Sequence, residues 1–224
     1  IGQAPVLYDS TKTAKTREDI TKVLNNAGYM KATTEEWHKN KGKKKWVRIN
    51  VNPNERYTIR KLSRIVEDKG LRHFITVEDT ASSLLKEGSP FDVNALNNER
   101  NRIASYLRNN GYFMFNKEDI RFTADTSFNS TEVDVAMKLK LHQKDGRTEA
   151  KDHKQYTLRN IIFHADIPST NDRVDTTAIG NYIFLSNGQM HFRKNLLISN
   201  SLMKPGNLYN DDMMERTYTN FTRL

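Results

Sequence analysis

The clearest alternation in the chain runs over residues 133–142. Val133, Val135, Met137, Leu139 and Leu141 take one side, and Asp134, Lys138, Lys140 and His142 the other. A period of two predicts a strand with one buried and one wet face. Val47, Ile49 and Val51 alternate in the same way with Trp46, Arg48 and Asn50, and residues 57–65 are rich in β-branched and aromatic side chains, which predicts a further strand. Downstream the period changes. Leu96, Ile103 and Leu107 recur at spacings of seven and four with Tyr106 alongside, the stripe of a helix that faces a sheet. Asp92 would cap that helix and Gly111 would end it. Residues 76–86, with Val77, Ala81, Leu84 and Leu85 on one face, predict a shorter helix stopped by Gly88 and Pro90. Tyr112, Phe113, Phe115, Ile120 and Phe122 populate one more strand. The order is β-α-α-β-β, with two helices on one face of a small sheet.

The chain also resembles itself. DITKVLNNAGYM at 19–30 aligns with RIASYLRNNGYF at 102–113; SLLKEGSPFD at 83–92 aligns with SLMKPGNLYN at 201–210; YTIR at 57–60 aligns with YTLR at 156–159. Each match is short, but the order carries weight. The middle of the chain holds all three words in succession, the N-terminal part only the helix word, and the C-terminal part only the other two. This predicts one complete module over residues 56–144 between two partial ones. The first, residues 1–52, would supply a second helix and the last two strands. The third, residues 155–224, would supply a first strand and two helices, the helices over 192–203 and 211–224. Residues 166–190 exceed what the repeat needs, and Tyr182, Ile183, Phe184 and Leu185 suggest an added strand or hairpin there. The first linker spans only residues 52–56 and should hold its neighbours in a limited range of orientations. The second, residues 144–155, is longer and polar and should bend more freely. Half-modules expose apolar faces, so the chain is expected to continue at both ends or to be complemented by another copy.

Composition narrows the chemistry. Hydrophobic residues are 36% and charged residues 28%, polar for one core but normal for several small modules. There is no cysteine, which removes disulfides, thiolate nucleophiles and Cys-ligated metals. No run reaches the length of a membrane helix, and Ile1 opens the chain without a signal-like stretch, so it reads as an internal piece. The net charge is +9, spread along the chain except for Lys39-Asn40-Lys41-Gly42-Lys43-Lys44-Lys45. That run reads first as a solvated hairpin tip. If functional, Lys41, Lys43, Lys44 and Lys45 would contact an anion, a lipid head group or an acidic partner. The six histidines show no metal-ligand spacing, and Glu35-Glu36-Trp37-His38 lacks the histidine pair of a zinc helix. No metal, cofactor or catalytic set is expected.

Tyr57-Thr58-Ile59-Arg60, Gly88-Ser89-Pro90-Phe91-Asp92 and Leu107-Arg108-Asn109-Asn110-Gly111-Tyr112-Phe113 together resemble the polypeptide-transport-associated (POTRA) domain of the BamA and TamA outer-membrane-protein assembly family. Met203-Lys204-Pro205-Gly206-Asn207-Leu208-Tyr209 is similar to the start of the module that precedes the barrel in that family. Gly2-Gln3-Ala4-Pro5-Val6-Leu7-Tyr8-Asp9 is similar to TamA-like surface-antigen members. The resemblance implies an α+β fold of tandem β-α-α-β-β modules, each with two helices on one face of a small three-stranded mixed sheet. It implies a non-enzymatic periplasmic scaffold, attached to the outer membrane through a barrel in the full-length protein. Its partners would be unfolded outer-membrane proteins, periplasmic or lipoprotein assembly factors and its own barrel. Binding by strand addition would use the edge around residues 113–122, with Phe113, Phe115, Lys117, Ile120, Arg121 and Phe122 as contact residues. Charges at Lys117, Glu118, Asp119 and Arg121 would blunt that edge against aggregation.

The alternative is a basic KH-like nucleic-acid-binding module, which also pairs helices with a three-stranded sheet. A KH module clamps backbone with a GxxG loop. The corresponding junctions here, Gly88-Ser89-Pro90-Phe91 and Gly206-Asn207-Leu208-Tyr209, lack the second glycine. Neither nucleic acid nor a small-molecule substrate is therefore expected as a partner.

Overall fold

The computed structural model describes residues 7–127, 130–143, 150–165, 175–187 and 190–224. Residues 2–6 of the opening motif, 144–149 of the second linker and 166–174 of the excess stretch lie outside them. The chain is α+β and divides into two compact units, residues 1–67, 72–100 and 120–139 in one and residues 68–71, 101–119 and 140–224 in the other.

In the first unit, helix α1 (Ser10–Asn26) begins well ahead of the repeated word at 19–30, because the Asp9 side chain accepts from the amides of Thr11 and Lys12. It ends in a Schellman turn: Gly28 has φ 94°, its amide donates to the Asn25 carbonyl and that of Tyr29 to Leu24. Strands β1 (Thr33–Lys41) and β2 (Lys44–Asn52) form an antiparallel ribbon. A three-stranded mixed sheet follows from β3 (Thr58–Val66), β4 (Ile120–Asp125) and β5 (Glu132–Leu139), in the order β3-β5-β4. β5 is central, parallel to β3 and antiparallel to β4. The alternation read from the sequence is realised there, with Val133, Val135, Met137 and Leu139 buried. Tyr57, Ile59, Leu85, Phe91 and Leu96 complete the core with Val133 and Val135.

Helix α3 (Val93–Asn109) matches its stripe, but the shorter helix is displaced. It is α2 (Lys69–Thr76), followed by a 3₁₀ turn over Glu78–Ser82. Leu71 and Ile75 are its buried residues, whereas Val77 and Leu84, expected on the apolar face, are 55% and 54% exposed. Asp68 explains the shift: its carboxylate accepts from the Leu71 amide, starting the helix beside Gly70. The strand expected from Tyr112 also starts late. Asn116 and Asp119 exchange side-chain bonds with the amides of Glu118 and Asn116, so Lys117–Asp119 is a 3₁₀ turn and the strand begins at Ile120.

In the second unit, short strands β6 (His142–Gln143) and β7 (Ala150–Lys151) pair. The first strand expected of the third module, opening at the YTLR word of 156–159, is instead β8 (Ile161–Ala165); upstream of it Thr157 makes an isolated bridge to Leu208. Part of the excess stretch is a hairpin, β9 (Asp175–Ile179) and β10 (Tyr182–Ser186), and the sheet order is β8-β10-β9 with β8 parallel to β10. This is the strand pairing of the central sheet, with the hairpin ahead of the helices and not after them. Helices α4 (Lys194–Asn200) and α5 (Asp211–Phe221) follow. Phe163, Phe184 and Leu197 form the core, with Phe221 against Phe163.

Candidate functional site

The repeated words meet at two places, one in each unit, and make the same bonds. At the first, Tyr57 N–H donates to the Gly28 carbonyl at 2.8 Å, Phe91 N–H to Tyr57 at 2.9 Å, Ile59 N–H to Ser89 at 2.8 Å and Gly88 N–H to Ile59 at 2.7 Å. At the second, Tyr156 N–H donates to Gly111 at 2.8 Å, Tyr209 N–H to Tyr156 at 2.9 Å, Leu158 N–H to Asn207 at 2.8 Å and Gly206 N–H to Leu158 at 2.7 Å. The residue before each tyrosine closes the helix end: Arg56 Nε donates to the Ala27 carbonyl, and Gln155 Nε2 to Asn110. One step further, the Leu84 amide donates to the Glu99 carboxylate, and the equivalent Leu202 amide to the Thr217 hydroxyl. Helix end, opening YTIR or YTLR segment and the Gly-x-x-aromatic turn therefore form one recurring joint. The Gly88–Phe91 turn is bonded to residues 57–59 and the Gly206–Tyr209 turn to residues 156–158, which leaves neither as a free phosphate-clamping loop.

This joint also covers the outer side of the first half of β3, since Ile59 and Tyr57 bond the 88–91 turn and the Leu62 amide donates to Glu87. β4 is the opposite edge, paired only with β5 among the described residues. Lys140 N–H donates to the Asp119 carbonyl, which makes 119/140 a bonded pair. Antiparallel pairing alternates bonded and non-bonded pairs. Arg121, Thr123 and Asp125 therefore bond β5, and the amides and carbonyls of Phe122 and Ala124 point to the free side.

The six sequence-selected edge residues do not share one strand. Ile120, Arg121 and Phe122 lie in β4, with the Ile120 side chain buried and Arg100 over the Phe122 ring. Phe113, Phe115 and Lys117 precede it in turn structure. Phe115 is buried, and Phe113 packs edge-on against Tyr156 and Tyr209. Of the four lysines, Lys41 and Lys44 are a cross-strand pair, Lys43 sits in the turn, and Lys45 lies on the other side of the ribbon over the Tyr8 ring at 3.6 Å.

A buried ionic group was not legible in the sequence. Asp68 and the His153 side chain are essentially inaccessible, and Asp68 Oδ2 accepts from both the His153 amide (2.7 Å) and Nδ1 (2.8 Å). Nε2 lies 3.2 Å from Asp119 Oδ2, and the His142 ring stands 5.7 Å from that of His153. Burial pulls the His153 pKa down, but the hydrogen bonds to Asp119 and Asp68 outweigh it and hold the imidazole above its ordinary value. Asp119 behaves inversely: burial raises it, and the His153 and Asn116 hydrogen bonds bring it below the carboxylate range. Asp119, His142 and His153 could together present three ligand atoms to a metal ion. Both ring nitrogens of His153 are held by carboxylates, so the arrangement is that of a shared-proton bridge, and among the described residues no hydroxyl is bonded to the imidazole. These residues lie up to 85 positions apart, and no local spacing signals them.

No family model and no curated protein matches the sequence. Among solved structures, the chain is similar to BamA POTRA3-5 of Haemophilus influenzae, at 17% identity and a TM-score of 0.48 over 96% of this chain and 70% of that one. It is similar to BamA of Haemophilus ducreyi lacking POTRA domains 1-3, at 19% identity and a TM-score of 0.37 over 61% of this chain and 24% of that one. A third is POTRA1-3 of the periplasmic domain of Omp85 from Anabaena, at 12% identity and a TM-score of 0.35 over 94% and 70%. The similarity is thus to POTRA domains of BamA and Omp85, while the finer TamA-like likeness rests on residues 2–9 alone.

Proposed function

We propose that this chain is a run of POTRA modules, partial over residues 1–52, complete over 56–144 and partial over 155–224, that serves as a periplasmic scaffold in outer-membrane protein assembly. Its role is to bind polypeptide and not to catalyse. Its partners are unfolded outer-membrane proteins, periplasmic or lipoprotein assembly factors, and a membrane barrel in the full-length protein. The observation that carries this reading is the asymmetry of the central sheet: the joint covers the first half of β3, whereas among the described residues nothing pairs with the outward backbone of β4 at Phe122 and Ala124. An extended segment laid along β4 gains main-chain hydrogen bonds whatever its sequence, which suits a scaffold for many unfolded chains. Arg121 and the nearby Lys117 would select against strongly basic segments, and the Phe122 ring would meet an apolar side chain.

Two proline variants test it. Ala124→Pro removes an outward N–H and leaves the β4–β5 ladder intact, whereas Thr123→Pro removes a ladder bond. Anisotropy of a labelled, urea-unfolded outer-membrane barrel protein diluted onto the chain should show at least about fivefold weaker binding for Ala124→Pro, at an unchanged melting temperature. Equal affinity in Ala124→Pro would remove strand addition at β4. Thr123→Pro should lower the melting temperature instead.

A further inference from the structure

The β1–β2 ribbon has two unlike faces. Cross-strand partners share a face, so the register places Thr34, Glu36, His38, Val47, Ile49 and Val51 on one side. That side meets α1: the Thr21 and Thr34 hydroxyls are 2.9 Å apart, and Tyr8 bonds Glu36. The other side carries Trp37 opposite Arg48, Lys39 opposite Trp46 and Lys41 opposite Lys44. Trp37 is 48% exposed and Trp46 63%. They are the only two tryptophans in the chain. Four cations thus surround two solvent-facing indoles on one face, against a single carboxylate, Glu35.

We propose that this face is a peripheral docking surface for an anionic lipid bilayer. Exposed indole is costly unless something covers it, and tryptophan with an apolar body and a polar N–H settles at the head-group level of a bilayer. Lysines around it are drawn to a negative leaflet, each contributing about fivefold in binding. Charge and geometry favour a bilayer over nucleic acid. Three of the four cations are lysine, a point charge suited to a diffuse anionic surface, whereas bidentate readout of base edges favours the planar fork of arginine. The one arginine, Arg48, lies 5.6 Å over the Trp37 ring. The run of lysines at the turn then divides by function: Lys41 and Lys44 face the bilayer, and Lys45 packs over Tyr8 on the other side.

Because both indoles lie on this face, the intrinsic fluorescence of the whole chain reports on it without a label. Mixed with vesicles of phosphatidylglycerol and phosphatidylethanolamine at low salt, the chain should co-sediment and its emission should shift to the blue. Vesicles of phosphatidylcholine alone should produce neither effect, and high salt should reverse both. Lys41→Glu with Lys44→Glu should weaken binding by at least about 25-fold. Trp46→Ser should lessen the blue shift while leaving the salt dependence in place. All three positions are exposed, so circular dichroism and melting temperature should stay at the parent values. The proposal is overturned if anionic vesicles give no shift and no sedimentation, or if the double variant binds them as the parent does. Tighter binding of a single-stranded oligonucleotide than of the vesicles, with quenching of both indoles, would assign the face to nucleic acid instead.

Discussion

The two joints share their backbone bonds and differ in what fixes the linker that enters them. The first linker is short and is held locally. Asn54 takes a left-handed turn (φ 56°) with its side chain bonded to the Lys31 carbonyl, and Arg56 reaches back to Ala27. The second is longer, and its polar composition predicts slack. Instead His153 is sealed between Asp68 and Asp119, two residues ahead of Gln155, and Arg108 and Asn109 clamp Asp211 and Asp212 on α5. Over its described residues, 150–155, the second linker is thus anchored by one buried residue with matched charges. Such a group contributes through definition of geometry more than through net energy, since desolvation offsets much of the attraction.

Removing the charged pin should produce the largest effect. His153→Ala leaves Asp68 buried without its partner and should cost about 3–5 kcal/mol in urea unfolding. A loss below about 1 kcal/mol would show that the second linker is held by the joint alone. The motif glycines come next, and here the joints should separate. A Cβ on Gly28 would stand 2.4 Å from the Phe91 carbonyl oxygen, inside the bond network of the joint, whereas one on Gly111 would meet the movable Leu208 side chain at 3.1 Å. Both have left-handed φ. Gly28→Ala should therefore cost roughly 3 kcal/mol and Gly111→Ala roughly 1–2 kcal/mol; equal costs would mean that the joints are equally tight.

Acidity sharpens the same contrast. His153 binds its proton more tightly folded than unfolded. Its contribution is complete below the ordinary histidine pKa of about 6.5 and is lost as the pH rises through the higher folded value. Asp119 acts at the other end, its contribution being lost as the pH falls below the carboxylate range. Unfolding free energy should decline on the alkaline side in the parent and be flatter there in His153→Gln. The smallest effect belongs to the exposed clamp. Arg108→Ala breaks a bidentate pair with Asp211 that is more than a third exposed, and should cost below about 1 kcal/mol.

What the sequence disclosed follows from how local each signal is. Alternation in β5 and the α3 stripe depend on neighbours in the chain, and both elements form where the pattern predicts. The repeated words were legible as repeats, yet their meaning was tertiary: Gly28, Tyr57 and Phe91 are words of three different elements that converge on one set of bonds. Local capping misled twice. Asp68 starts α2 earlier than its apolar face suggests, and Asn116 with Asp119 delays β4, so Phe113, Phe115 and Lys117 fall outside the edge strand. The His153 bridge joins residues with no sequence relation. The free side of β4 requires the register, because one position decides whether Phe122 or Arg121 faces outward.

That register is open to direct test by amide hydrogen exchange of the labelled chain, read residue by residue along β4. Without peptide, Arg121 and Thr123 should be protected and Phe122 and Ala124 should exchange rapidly. Adding an extended peptide of alternating valine and threonine flanked by glutamates should slow Phe122 and Ala124 selectively. Protection that appears elsewhere in the chain, with Phe122 and Ala124 unchanged, would contradict strand addition at this edge.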